Sequence, residues 1–157
     1  QEDGRLSGAD TDDRPGRSGP PLMANEIQLR IVTPRRQVLD QAVLEVTAPG
    51  TVGEFGVLPN HATFLGSLEI GRLSYRDARG LHHLAVRGGF AEVSDNVMTV
   101  LADAAEPSAE VDPARAKSDL AAAEAAMADL SPLDPACEAA AAEARWARAR
   151  LDAGQKA

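Results

Sequence analysis

Between Ile27 and Leu101 the apolar runs are short and each ends at turn residues, which limits this stretch to a sheet fold. Ile27, Leu29 and Ile31 alternate with Gln28 and Arg30, the two-residue period of a strand with one face buried. Pro34 ends that run. Val43-Leu44-Glu45-Val46-Thr47 is a second one, closed by Pro49-Gly50. Gly53 and Gly56 bracket Glu54-Phe55 and predict a tight bend or bulge. After Leu58-Pro59-Asn60-His61 come Thr63-Phe64-Leu65 and Leu68-Glu69-Ile70, then a hairpin whose arms run from Arg72 to Arg76 and from Leu81 to Val86. Gly88-Gly89 breaks the chain again before Phe90-Ala91-Glu92-Val93, and Ser94-Asp95-Asn96 turns it into Val97-Met98-Thr99-Val100-Leu101. Roughly eight to ten short strands with no helix among them predict an antiparallel β-sandwich or flattened barrel over residues 24–105.

The texture changes after Asp103. Asp112-Pro113 and Asp134-Pro135 each set a capping acid before a proline. Asp at the cap accepts bonds from first-turn amides, and proline at the first helical position loses no bond it could have made. Helices are therefore predicted from Pro113 to about Leu130 and from Pro135 to about Asp152, with Gly154 as the stop. The short linker Ser131-Pro132-Leu133-Asp134 makes the pair antiparallel. The expected architecture is α+β, a sandwich followed by a C-terminal helical hairpin over 112–153 and a tail at 154–157. Residues 1–22 hold Gly, Pro, Asp, Arg and Ser with little to bury, and are expected to be a disordered leader. Met23 opens the sheet texture and is a candidate start.

Composition narrows the function. Aromatics are only 3% of the chain, so a core must rest on Val, Ile, Leu and Ala. A net charge of −8 argues against broad nucleic-acid binding. The single cysteine, Cys137, allows no internal disulfide and no thiolate zinc site, which fits a reducing compartment. No apolar run approaches the roughly 20 residues of a membrane span. The leader has no apolar signal core and is too acidic for a transit peptide.

Alanine dominates the two helices, with few large apolar groups beyond Leu120, Met127, Leu130, Trp146 and Leu151. Alanine favours helix but buries little area, so the helices should persist while gripping their surroundings weakly. That combination suits a mobile element, and it equally suits a solvent-washed foot. Asp119, Glu124 and Asp129 make the first helix acidic, whereas Arg145, Arg148 and Arg150 make the second basic late. Those arginines either complement the helix dipole or meet an acidic partner or phosphate.

No catalytic set emerges. His61, His82 and His83 have no Cys or carboxylate cluster at metal-ligand spacing. Adjacent His82 and His83 point to opposite faces of a strand, and His61 is expected to brace its loop by hydrogen bonding. Gly53-x-x-Gly56 lacks the lysine and helix of a phosphate loop, and no Gly-x-Ser-x-Gly occurs. An enzyme reading is disfavoured.

Gly53-Glu54-Phe55-Gly56-Val57-Leu58-Pro59-Asn60-His61 resembles the Gly-Glu-x-Gly-x-x-Pro-x-His signature of the epsilon subunit of F-type ATP synthases. Arg87-Gly88-Gly89-Phe90-Ala91-Glu92-Val93 and Asn96-Val97-Met98-Thr99-Val100-Leu101-Ala102-Asp103 resemble the family's later strands, in order and at the right spacing. Thr63 stands where the family usually has proline, and Gly66 to Gly71 where a Pro-Gly turn is common. The resemblance implies a non-catalytic subunit at the foot of the rotating central stalk, peripheral on the cytoplasmic face of a bacterial inner membrane. Its expected partners are the gamma subunit, the ring of c subunits and the beta subunit, with membrane contact only through the complex. It implies a hairpin that folds on the sandwich or extends along gamma, blocking ATP hydrolysis when Arg145, Arg148 and Arg150 reach an acidic segment of beta. No resident cofactor is expected. Some members bind regulatory ATP through Ile/Leu-Asp-x-x-Arg-Ala. Val111-Asp112-Pro113-Ala114-Arg115-Ala116 is close, making Asp112 and Arg115 the contributors, with an arginine of the second helix closing the site.

Overall fold

The computed structural model describes residues 21–155. Residues 1–20 of the expected leader and 156–157 of the tail lie outside the described residues. The strands are β1 (Ile27–Val32), β2 (Gln37–Val43), β3 (Glu45–Gly50), β4 (Gly53–Val57), β5 (Phe64–Asp77), β6 (Gly80–Ser94), β7 (Val97–Leu101) and β8 (Ala105–Pro107). A 3-10 turn at Ser108–Glu110 leads to α1 (Pro113–Ala128) and α2 (Pro135–Gly154). The fold is α+β, a β-sandwich followed by two helices.

Hydrogen bonding orders the strands β2-β1-β7-β6-β5-β3-β4, with β8 added on β6. Pairing is antiparallel except between β1 and β7, which run parallel from Gln28↔Val97 to Val32↔Leu101. The expectation of a wholly antiparallel sheet is corrected at that one pair.

Two strands are much longer than their sequence runs. β5 spans 14 residues and absorbs the runs at 63–65, 68–70 and 72–76 apart from Thr63. Gly66 to Gly71 therefore lies inside a strand and makes no turn. β6 spans 15 residues, because Gly88 and Gly89 kink it without ending it. Their φ angles are 64° and 105°. A Cβ on Gly89 would stand 1.9 Å from the Leu101 carbonyl oxygen, so only glycine lets β6 bend there while staying bonded to β7. Before the kink β6 pairs with β8, and beyond it with β7. One strand thus pairs with different neighbours on the two sides of its kink.

β2 escaped the sequence pattern because Gln37, Asp40 and Gln41 interrupt any apolar alternation. It forms as an edge strand on β1, with Val38 and Leu39 packed on the core. The run at 43–47 straddles the junction of β2 and β3. In β1 the polar face is less open than alternation suggests. Gln28 is buried, and its side-chain amide donates to Asp40, which also pairs with Arg30 at 3.4 Å.

The main core joins Ile27, Leu29, Ile31, Val46, Leu73, Val86, Val93, Met98 and Val100 with their neighbours, and no hairpin residue belongs to it. A separate small cluster attaches the hairpin. Ala149 and Ala153 of α2 meet Ala85 of β6, flanked by Ile70 and Trp146. α2 rests on β5 and β6, and α1 rests mainly on α2.

Both helix starts use the predicted chemistry. Asp112 accepts from the Ala114 and Arg115 amides at 3.1 and 3.2 Å, and Asp134 accepts from Ala136 at 2.9 Å. The ends differ from expectation: α1 stops at Ala128, and Gly154 is the last residue of α2 rather than its stop. A Cβ on Gly154 would sit 3.1 Å from Val111, so the glycine lets the helix end lie close to the chain leading into α1.

Candidate functional site

The signature segment forms β4 and the turn beyond it. The His61 amide donates to the Leu58 carbonyl at 3.1 Å, and Asn60 adopts a φ of 61°. Proline second and a left-handed asparagine third is the residue pattern of a type II turn. Asn96 fastens this turn to the rest of the sandwich. Its side-chain oxygen accepts from the Asn60 amide at 2.7 Å, and its side-chain nitrogen donates to the Glu26 carbonyl at 2.8 Å. Asp95 and Asn96 also make the two-residue β6–β7 turn, with φ of 51° and 61° as a type I′ turn requires. His61 is exposed, shares a 2.7 Å contact from Nδ1 to the Ala62 carbonyl, and stands edge-on to Phe64 at 6.2 Å. It belongs to the loop and, among the described residues, has no titratable group within hydrogen-bond reach.

A surface the sequence reading missed lies on the outward face of β5, β6 and β7. Register aligns Ser67, Phe90, Leu101 and Val32 in one row, with Leu65 opposite Glu92 in the next row on the same side. The intervening row, with Ala91, Val100 and Ile31, faces the core. Leu65, Phe90 and Leu101 are consequently exposed at 70%, 56% and 55%. Phe90 and Leu101 share a shallow depression with Val32, Thr33 and Pro34. The available signal was that β6 and β7 carry apolar residues at both parities, so both strand faces have something to cover.

The three arginines of α2 are all engaged. Arg145 pairs with Glu138 at 3.1 Å, Arg148 with Glu124 of α1 at 2.9 Å, and Arg150 with Asp119 of α1 at 2.9 Å. Only 9% of Arg150 is exposed, and its Nε stands 3.2 Å from the Glu106 carboxylate of β8 without the alignment of a hydrogen bond. Arg150 therefore joins α1, α2 and the sandwich. None of the three lies in the last turn of α2, so the helix dipole does not account for them; the acids of α1 and β8, with Glu138 on α2 itself, do. A further link runs from Arg87 of β6 to Glu143, with the Arg87 guanidinium 5.9 Å from the Trp146 ring centre. Arg150, then Arg115, hold the Asp119 carboxyl below its ordinary range, and Arg87 does the same for Glu143.

Asp112 is occupied as a helix cap, and Arg115 reaches Asp119 at 3.3 Å. Asp119 thus collects one guanidinium from each helix. His82 and His83 fall on opposite faces of β6. His82 donates to or shares a proton with Asp77 at 2.8 Å and stacks on Tyr75 at 4.9 Å, whereas His83 meets Ser74 at 2.6 Å. Among the described residues no group of three or more His, Cys, Asp and Glu side chains is placed to hold a metal ion. Nor is any described helix long and apolar enough to cross a membrane.

Comparison with known proteins agrees with this geometry. Residues 26–108 match the beta-sandwich domain of the ATP synthase delta/epsilon chain. The ATP synthase epsilon chain of Geobacter metallireducens is 48% identical over 112 residues, covering 71% of this chain and 81% of the relative. That of Geobacter sulfurreducens is 47% identical over the same span. Among solved structures, a chain of the Euglena gracilis mitochondrial ATP synthase superposes with a TM-score of 0.70 at 24% identity, covering 94% of this chain and 96% of its own. A chain of the Tetrahymena thermophila mitochondrial ATP synthase central stalk and c-ring gives 0.54 at 16%, covering 82% and 96%. These two show that the fold is shared. With the sandwich domain matched across more than half of its length and close relatives so named, this chain belongs to the ATP synthase epsilon chain family.

Proposed function

We propose that the sandwich is a rotor element of the catalytic sector of an F-type ATP synthase and that the hairpin is a releasable brake on ATP hydrolysis. The observation that carries this reading is the division of labour in the fold. The sandwich closes its own core and still presents Leu65, Phe90 and Leu101 outward, while the hairpin adheres through alanines and ion pairs. A self-sufficient body with an apolar outer face suits permanent attachment to a partner. In this reading gamma covers that face, the c-ring lies beyond it, and the chain is peripheral on the cytoplasmic side of a bacterial inner membrane. The chain couples rotation without catalytic residues of its own.

An extended hairpin must first give up the acids of α1 and β8, which frees Arg148 and Arg150 for an acidic segment of beta, with Arg145 alongside. Docked and inhibitory states then compete for the same guanidinium groups. Attachment is tested by co-purification with gamma. Phe90→Asp combined with Leu101→Asp should abolish it with the circular dichroism of the chain unchanged; undiminished recovery of gamma would refute this face as the attachment site.

A second reading, regulatory ATP on the folded hairpin, draws support from the convergence of Arg115 and Arg150 on Asp119. A polyphosphate could replace that carboxylate as the shared partner. Calorimetry of the isolated chain with millimolar ATP checks it, and heat lost on Arg115→Ala is the expected sign. No heat would dispose of the site.

A further inference from the structure

Beneath the end of the docked hairpin sits a histidine with half of its hydrogen-bonding capacity unused. His83 is 7% exposed. It projects from the same face of β6 as Ala85, the residue on which Ala149 and Ala153 of α2 pack. Gly154 and Gln155, at the end of α2, line the same groove, together with Pro107, Ser108 and Ala109. Its Nδ1 shares a 2.6 Å hydrogen bond with Ser74, and its buried Nε2 has no partner.

We propose that His83 makes hairpin docking pH-dependent: the docked hairpin admits the neutral ring, and protonation of His83 favours release of α2 from the sheet. An unpartnered buried nitrogen is tolerable on a neutral ring but costly on a cation, which must shed its water. Once α2 leaves, the outward face of β6 is open to solvent and the charge is hydrated.

The charged and titratable groups on the surrounding elements do not rescue the cation. On β5, Arg72 is paired across to Ala85, two rows from Ser74 and His83 on the same face, and adds like charge. On β6, His82 turns to the other face and is held by Asp77. Glu106 of β8 faces Arg150, Glu110 of the 3-10 turn pairs with Arg36, and Asp152 in the last turn of α2 is exposed. Val38 and Leu39 of β2 are apolar. The negative end of the α2 dipole favours a proton, yet burial first, then Arg72 and His82, hold the ring below its ordinary value of 6.5.

The sign follows from linkage. A histidine whose docked value is depressed leaves docking undisturbed above about pH 6.5 and weakens it as pH falls below. One proton limits the change to about tenfold in the docking equilibrium per pH unit. This holds whether or not the released hairpin inhibits hydrolysis.

The chain suits a direct test, because it has three histidines and one tryptophan, and Trp146 lies in the docking cluster. The full chain is titrated from about pH 8 to about pH 5.5, following the three imidazole resonances by NMR and Trp146 emission together. Trp146 should shift to longer wavelength along with a His83 transition centred below 6.5. His83→Gln should remove the Trp146 transition, and His61→Gln should retain it. An unaltered transition in His83→Gln overturns the proposal. Should His83→Gln fail to fold, the native chain decides alone: a His83 ring titrating at or above 6.5, or titrating without any change at Trp146, also overturns it.

Discussion

Leu73 in the sandwich and Ala149 in the hairpin are both almost fully buried, at 0% and 3% exposure. What they contribute differs severalfold, because a leucine removes far more apolar surface from water than an alanine. The sandwich gathers branched side chains from seven strands into one continuous core. The hairpin offers two alanines, Ala149 and Ala153, the half-buried Trp146, and charges that are mostly exposed. Apolar cores resist salt and neutral pH changes, whereas exposed ion pairs are screened and titrate. The chain therefore carries one strongly anchored region and one weakly anchored one, and the boundary lies near Val111.

The largest test of that contrast is Leu73→Ala. It should destabilise the sandwich by about 2–5 kcal/mol in urea unfolding, with the hairpin lost in the same transition because its platform is gone. Asn96→Ala should follow at about 1–2 kcal/mol, since it removes two hydrogen bonds, one of them part-buried, and leaves alanine at a φ of 61°. Trp146→Ala should weaken docking alone, by about 1–2 kcal/mol for a half-buried ring, seen as faster hydrogen exchange across α2 with the strands unaffected. Equal acceleration in β1 and β7 would break the distinction between the regions.

Acid provides a gentler probe. Asp119 and Glu143 are held below their ordinary values of 3.8 and 4.5 by Arg150 and Arg87. Above their ordinary values, the Glu143 carboxylate stabilises docking on β6 and the Asp119 carboxylate stabilises the α1–α2 pairing. Each contribution is lost as pH falls through the lower folded value. Hairpin protection should therefore fall further below about pH 4, beyond any step due to His83. Arg148→Ala should be smallest, within about 0.5 kcal/mol, because both partners are about half exposed.

What the sequence made legible follows the same division. β1 was readable because two-residue alternation reports a half-buried strand directly, and β7 because the Ser94-Asp95-Asn96 turn opens a short apolar run. The helix starts were readable because Asp-Pro states its chemistry locally. β2 was not, since an edge strand needs only one apolar side and tolerates polar interruptions. The continuity of β6 through Gly88-Gly89 was hidden because glycine signals a bend without saying whether pairing resumes. The outward row of Leu65, Phe90 and Leu101 depends on register between strands far apart in the chain, which no local pattern records. Arg145, Arg148 and Arg150 were visible as a basic cluster, but their partners on α1 and β8 emerge only when the helices pack. Gly154 was misjudged for a related reason, as its role is contact with Val111 and not chain reversal.

The claim on which the account rests is that the hairpin restrains hydrolysis from a position the sandwich does not need. Its most direct test compares ATP hydrolysis by a reconstituted catalytic sector carrying either the full chain or a chain ending at Val111. Both chains should assemble with gamma equally, and the shortened one should give the faster hydrolysis. Equal rates at equal assembly would contradict the proposed brake and leave the sandwich as a rotor element alone.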